Sequence, residues 1–301
     1  MLRQAKNICK IEGILSEIDL STREYMKDGK ETHAIGGEIK IRTEQKINGE
    51  TVTLEIPVSM FATKYTNKGG ENPAYKSIQD VMTNFKSIAA VGEAEADRVR
   101  ITNGSIRMNE FYPKGSDRLV SKILINASFL NKVKSTEYKP QAIFEAEFVV
   151  ASKDFEVDKE GNETGRLKIN TIIPQYGGKV DVVPMFTINE NVASAVNDFW
   201  NNGDSVKAAG RLLFSSKTET TLIPVDFGEP EEKTTTINIA ELLITGGSEE
   251  PLSGEFAFDT NDVQAALAQR KAHLEELKVA GESNTKKRAT PAKSSTIDLG
   301  F

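Results

Sequence analysis

Apolar and charged residues alternate along much of the chain. In residues 37–42, Gly-Glu-Ile-Lys-Ile-Arg, apolar and charged side chains take turns, the period of a half-buried strand. Residues 51–58 put Val52, Leu54, Ile56 and Val58 on one face, and residues 97–101 turn Val99 and Ile101 inward. Asn103-Gly104 follows, a pair that tolerates positive φ and predicts a two-residue hairpin. Strands are expected again over 105–112 and 120–130, the second with Ile123, Ile125, Ala127 and Phe129 on one face. Between them the period changes to that of a helix. Asn72 is its expected cap and Pro73 its first residue, and Tyr75, Ile78, Met82, Phe85 and Ala89 recur at spacings of three and four.

The second stretch repeats that order. Residues 144–157, 164–174 and 179–188 read as strands, with turns at 159–162 and at Gly177-Gly178. Asn189 caps a short helix with Val192, Val196 and Phe199 on its apolar face, and strands follow at 206–214 and 236–244. Each copy has an Asp-x-Val element after its helix, Asp97-Arg98-Val99 before Gly104 and Asp204-Ser205-Val206 before Gly210. Two tandem copies of one module account for this better than two unrelated small β domains. Three strands, a helix and two strands is the order of an OB barrel. The expected fold is mostly β: two tandem OB-like five-stranded barrels, each with one helix, then a C-terminal helix and a flexible tail. The boundaries are 1–134 and 141–246 for the modules, with a linker at 135–140. A helical region covers 247–280 and the tail 281–301. Thr260 is the expected cap of the C-terminal helix. Its Val263, Leu267, Arg270, Leu274 and Leu277 fit either packing on the second module or a short coiled coil.

Candidate chemistry narrows the function. One cysteine, Cys9, and two histidines leave no thiol or imidazole cluster for a metal or a catalytic centre. Phosphate-loop, nucleophile-elbow and zinc-helix motifs are missing, so no enzyme and no cofactor is expected. Cys9 lies in the first strand and reads as core. No run is apolar enough to span a bilayer, and the N-terminus leads straight into a strand, without a secretory signal. A cytoplasmic protein is expected. Residues 1–140 hold 22 Lys/Arg against 18 Asp/Glu, whereas 141–246 hold 9 against 17. A basic first half suits a nucleic-acid-facing module.

A single-strand binder needs cations for phosphates and aromatic faces for bases. Lys40, Arg42 and Lys46 share a face of the second strand, and Lys64, Tyr65 and Lys68 occupy the loop before the helix. Arg98 and Arg100 share a face. Arg107 and Phe111 share another, which Tyr112 ends. In the second module Arg166, Lys168, Tyr176 and Lys179 flank the Gly177-Gly178 turn. Any one of these cations is equally a solvated strand residue or an edge guard. Tyr75, Phe85, Phe61 and Phe129 are expected in the core.

With these patches the chain resembles phage-encoded single-stranded DNA-binding proteins of the OB type. Asn7, Ile8, Ile11 and Gly13 look like the opening strand of such domains. The two Asp-x-Val elements look like the strand that follows their helix. The terminal Ile297-Asp298-Leu299-Gly300-Phe301 resembles the acidic, apolar tip by which these proteins recruit replication and repair enzymes. The resemblance implies a protein that coats single-stranded DNA in replication, recombination and repair. Its partners would be that DNA and enzymes docked through Ile297, Asp298, Leu299 and Phe301. A homo-oligomer is compatible with it. The competing reading is a structural or adaptor protein, such as a virion component, whose β modules serve protein contacts.

Overall fold

The computed structural model describes residues 2–27, 29–113, 116–223 and 231–286. In the first half, β1 (Asn7–Lys27), β2 (Lys30–Ile47) and β3 (Glu50–Thr63) precede α1 (Pro73–Asn84) and α2 (Ile88–Val91). After them come β4 (Arg98–Phe111), β5 (Val120–Asn126) and β6 (Asn131–Lys132). The second half has β7 (Gln141–Val157), β8 (Glu163–Pro174), β9 (Val180–Thr187), α3 (Glu190–Phe199), β10 (Ser205–Ile223) and β11 (Glu231–Gly247). The last element is α4 (Thr260–Lys286).

The protein is mostly β. Five strands close a first ring in the order β1-β2-β3-β5-β4 and back to β1, and five close a second as β7-β8-β9-β11-β10 and back to β7. Each ring has one parallel pair, β3–β5 and β9–β11, because a helix carries the chain across between those strands. The alternation works as the pattern predicts. Ile35, Ile39 and Ile41 of β2 and Leu54, Ile56, Val58 and Met60 of β3 are fully buried. Asn72 caps α1 through its side-chain oxygen, which accepts the Ala74 N–H at 3.0 Å, and Asn189 caps α3 by accepting from Val192 N–H at 3.1 Å. Ile78 and Val81 of α1 and Ala193 and Val196 of α3 face the core. In ring two Trp200 packs edge-on to Phe148, with centroids 5.7 Å apart, and its indole N–H donates to the Ser248 carbonyl at 2.7 Å. Cys9 is a core residue, and burial pushes its thiol pKa up, away from reactivity.

The rings are joined by a strand ladder. β1 and β7 run antiparallel from Asn7↔Ala146 to Glu12↔Gln141, and one hydrophobic core runs through both halves. Cys9 is opposite Gly104 of β4, and Phe144 is opposite Gly210 of β10. Cys9 and Phe144, the equivalent residues of the two rings, face each other across the β1–β7 ladder. Equivalent residues that meet are the mark of a local two-fold axis, here within one chain. The approach requires glycine at 210 and is tight at Gly104. A Cβ on Gly210 would stand 2.5 Å from the Phe144 ring, and one on Gly104 would stand 3.2 Å from the Cys9 Cβ. The two aspartates are also equivalent. Asp97 Oδ2 accepts the Lys86 N–H at 2.8 Å and Asp204 Oδ2 accepts the Asn201 N–H at 2.7 Å, so each fixes the loop leading from helix to strand.

Four expectations are corrected. Asn103-Gly104 is no hairpin: β4 runs straight through it, paired to β1 up to Gly104 and to β5 from Ser105. A bulge between Cys9 and Ile11 marks the change of partner, and Gly104 serves close approach rather than a turn. The cap of α4 is Asp259, whose Oδ1 accepts from Asn261 and Asp262 N–H at 2.9 and 3.0 Å, not Thr260. That helix packs on β4 as well as β9, so it lies on both rings, and Arg270 pairs with Glu110 of β4. It continues to Lys286, into the stretch read as tail, while residues 287–301 lie outside the described residues. No helix among the described residues is long and apolar enough to cross a membrane.

The junction holds one buried acid. Glu12 is 1% exposed; it accepts from Arg100 Nε at 2.6 Å and from the Lys139 N–H at 2.6 Å, tying β1 to β4 and to the connection between the rings. Burial opposes its charge, but these donors outweigh that and hold its pKa below the usual carboxylate range. The group therefore adds stability above its unfolded pKa of about 4.3, which is lost as pH falls through the lower folded value. Glu12→Gln is expected to melt below wild type at pH 7, with the gap narrowing under about pH 4. A gap that is constant across a pH series of thermal melts rules this role out.

Candidate nucleic-acid interface

The cations named by the sequence fall into two groups. Several are committed to carboxylates. Arg100 holds Glu12 and also donates to the Glu137 carbonyl at 3.1 Å. Arg107 of β4 pairs with Asp181 of β9 at 2.8 Å, a bridge between the rings. Burial keeps the Asp181 pKa raised even so, because desolvation outweighs the attraction of Arg107. Arg166 is the most constrained: it meets Glu156 at 2.7 Å and Glu241 at 3.0 Å, and its guanidinium lies 4.8 Å from the centre of the Phe186 ring. Lys40 pairs with Glu17 at 2.6 Å. Arg42 sits more loosely, 4.0 Å from Glu55 and 3.7 Å from Glu93, and Arg98 stacks 5.5 Å over Tyr138.

The second group is open to solvent. Lys46, Lys64, Lys68, Lys168 and Lys179 are exposed and form no ion pair among the described residues. Tyr65 is 51% exposed, with Lys64 Nζ 5.7 Å from its ring centre. The loop that carries them is fixed at its neck, where Tyr65 bridges Glu71 and Lys64 N–H donates to the His33 carbonyl at 2.9 Å. Tyr176 is 83% exposed, on the turn whose Gly177 and Gly178 both take positive φ. Phe111 and Tyr112 are half-buried at the end of β4, with Lys122 6.0 Å from the Phe111 ring. Arg107 and Lys179 line one cleft of about 400 Å³ between β4, β9 and α4. Arg166 and Lys168 lie elsewhere on ring two. The candidates therefore form separate patches, and two of them combine free cations with an open aromatic face: Lys64, Tyr65 and Lys68 after β3, and Tyr176 with Lys179 at the turn before β9.

Phe61 and Phe129, expected in the core, are both exposed by about half. For Phe61 the signal was present: the inward set of β3 is Leu54, Ile56, Val58 and Met60, so parity turns position 61 outward. For Phe129 the reason is different. The strand ends at Asn126, so the alternation that placed Ile123 and Ile125 does not extend to it. Phe61 borders a hollow of about 330 Å³ with Ser59, Asn103, Ser105, Asn126, Ala127 and Ser128. The tip residues Ile297, Asp298, Leu299 and Phe301 lie outside the described residues.

A family profile described as YorF matches residues 6–280, and the chain belongs to that family. The chain is similar to the crystal structure of wild-type single-stranded DNA binding protein from Thermus aquaticus. The TM-score is 0.50 at 10% identity, over 84% of this chain and 96% of that one. A deletion mutant of the same Thermus aquaticus protein gives a TM-score of 0.48 at 10% identity, over 83% of this chain and 97% of that one. No curated protein matches by sequence. At such identity the likeness is one of fold.

Arg166 and Lys168 are two residues apart on β8 and differ in commitment. Arg166→Ala strands Glu156 and Glu241 and is expected to cost about 1–3 kcal/mol in denaturant unfolding. Lys168→Ala is expected to stay within about 0.5 kcal/mol of wild type. Equal effects of the two would mean that the Arg166 pairs do not hold in solution.

Proposed function

We propose that this YorF-family chain is a non-enzymatic single-stranded DNA-binding protein, built from two tandem OB-type barrels spanning 1–134 and 141–246. The observation that carries the reading is the loop of Lys64, Tyr65 and Lys68: unpaired cations beside an open aromatic face, on a chain with the fold of a single-stranded DNA-binding protein. Lys46, with the looser Arg42, supplies contacts toward the other end of the β2–β3 hairpin. Ring two acts chiefly as a brace. Its Arg166 is internally neutralised, while its Glu145 and Glu147 take Lys6, Lys207 and Arg3. Lys168, Tyr176 and Lys179 supply secondary contacts. On this reading the chain coats DNA in phage replication or recombination, and the tip at 297–301 docks replication enzymes, with Phe301 as its apolar anchor.

The adaptor reading is favoured by the net negative balance of ring two and is separated by direct titration. The full chain is titrated with single-stranded DNA, single-stranded RNA and duplex DNA of equal length. Single-stranded DNA is expected to bind best, with affinity falling by about 0.7 log unit per phosphate contact for each decade of salt. Binding of none of the three leaves the adaptor reading.

Two variants refine the test. Lys64→Glu with Lys68→Glu is expected to flatten the salt dependence by roughly two contacts. Tyr65→Ala is expected to cost about 1–3 kcal/mol of binding at an unchanged melting temperature. A fall in melting temperature without loss of binding would make Tyr65 a structural residue. Removal of residues 296–301 is expected to leave DNA affinity intact and to abolish capture of replication enzymes. Unchanged capture would leave the tip with no docking role.

A further inference from the structure

Phe61 is held on the outside of ring one by a prepared bed. Its cross-strand partner on β2 is Gly36, and ring atom Cδ2 lies 2.9 Å from the point where a Cβ on Gly36 would stand. The phenyl therefore lies over bare backbone, where any side chain on β2 would push it away. The Met60 carbonyl, 2.7 Å from the same point, closes Gly36 to substitution from a second direction. The ring is fixed from beneath and still 53% exposed. A side chain this apolar gains stability from burial, and this one forgoes much of that gain.

The adjoining hollow is polar and uncharged. Ser59, Asn126 and Ser105 lie side by side across three strands, because Ser59 is in register with Asn126 of β5 and Asn126 with Ser105 of β4. Asn103, Ala127 and Ser128 complete the lining with Phe61. Asn126 Oδ1 is buried without a donor. A buried acceptor left in that state is costly, and a ligand N–H relieves it. With no cation in the lining, the hollow does not suit a phosphate or a carboxylate. An aromatic wall beside amide and hydroxyl groups suits a flat heterocycle with N–H groups on its edge. β3 leads from Phe61 to Lys64 and Tyr65 within four residues, so a strand tracking that loop passes the hollow.

We propose that this hollow is a nucleobase subsite: one unstacked base lies against Phe61 and presents its N–H edge to Asn126. The proposal rests on the single-stranded DNA reading and adds to it a specific seat for a base, distinct from the loop at Tyr65.

The test uses the full chain with a 30-nucleotide oligothymidylate and an abasic strand of the same length and charge. Wild type is expected to prefer the base-bearing strand. Phe61→Ala is expected to weaken that strand by about 5- to 150-fold and to leave the abasic strand within about twofold. Asn126→Leu, which keeps the volume and removes the acceptor, is expected to weaken the base-bearing strand by about two- to tenfold. Melting temperatures confirm that both variants fold. Equal losses on both strands overturn the subsite, since the ring would then act on the phosphate path or on the sheet. Unchanged binding by Phe61→Ala, with a drop in sedimenting mass, overturns it in favour of a contact between copies of the chain. Wild type that binds neither strand removes the DNA reading itself, whereas wild type that binds with unaltered variants removes only the subsite.

Discussion

The ladder between β1 and β7 is the constraint on which the rest depends. Residues 7–12 of β1 bond to β7 on one edge, while residues 9–14 bond to β4 on the other. From Ile14 onward β1 bonds instead to β2. β7 behaves in the same way, passing from β1 to β8 while β10 lies on its other edge. Each first strand thus closes its own ring and grips the other. At the crossing point Gly13 is forced: a Cβ there would lie 2.3 Å from the Arg42 carbonyl oxygen. The chain is thereby less a pair of beads on a linker than a dimer folded into one polypeptide. The connection at 135–140 is bound into this joint through the Lys139 N–H on Glu12, and α4 spans the joint from outside.

Local rules sufficed wherever the determinant was local. Caps at Asn72 and Asn189, the glycine turn at 177–178 and the inward sets of β2 and β3 follow from neighbours within a few residues. The order of elements, repeated twice, carried the ring topology. What the sequence left hidden was long-range. Asn103-Gly104 has the local chemistry of a hairpin, yet β1 and β5 both offer their edges to β4, and two ladders are worth more than one turn. Gly104 lies tightly against Cys9, 95 positions earlier in the chain. The ladder between the rings has no sequence signature at all, because β1 and β7 read as ordinary half-buried strands.

The same limit governs the candidate site. Lysine and arginine announce a charge but not its partner. Arg42 and Glu55 meet because β2 and β3 pair in that register, and Arg107 meets Asp181 only because the rings are joined. Arg100 looked free beside Arg98 until the fold brought a buried Glu12 to it. Loop residues escape this ambiguity more often, since no facing strand supplies a counter-ion. That is why Lys64, Tyr65 and Lys68 keep the character that their residue types suggest.

Net charge by segment is therefore a poor guide to the field that a ligand meets. The balance of +4 over residues 1–140 includes Arg3 and Lys6, which neutralise Glu147 and Glu145 of ring two. The acidity of ring two is in part the receptor for that N-terminal arm. Pairing moves charge between the halves without changing either sum, and it removes Arg100 and Arg107 from the surface field of ring one. The cations that remain, among them Lys10, Arg23, Lys46, Lys64, Lys68 and Lys122, are exposed and form no ion pair among the described residues. On the single-stranded DNA reading, phosphate contacts from these cations and stacking on exposed aromatic faces share the affinity. Ring one has two such faces along the course of β3: Tyr65 in the loop, whose backbone bridges Glu71, and Phe61, which lies over the bare backbone of Gly36.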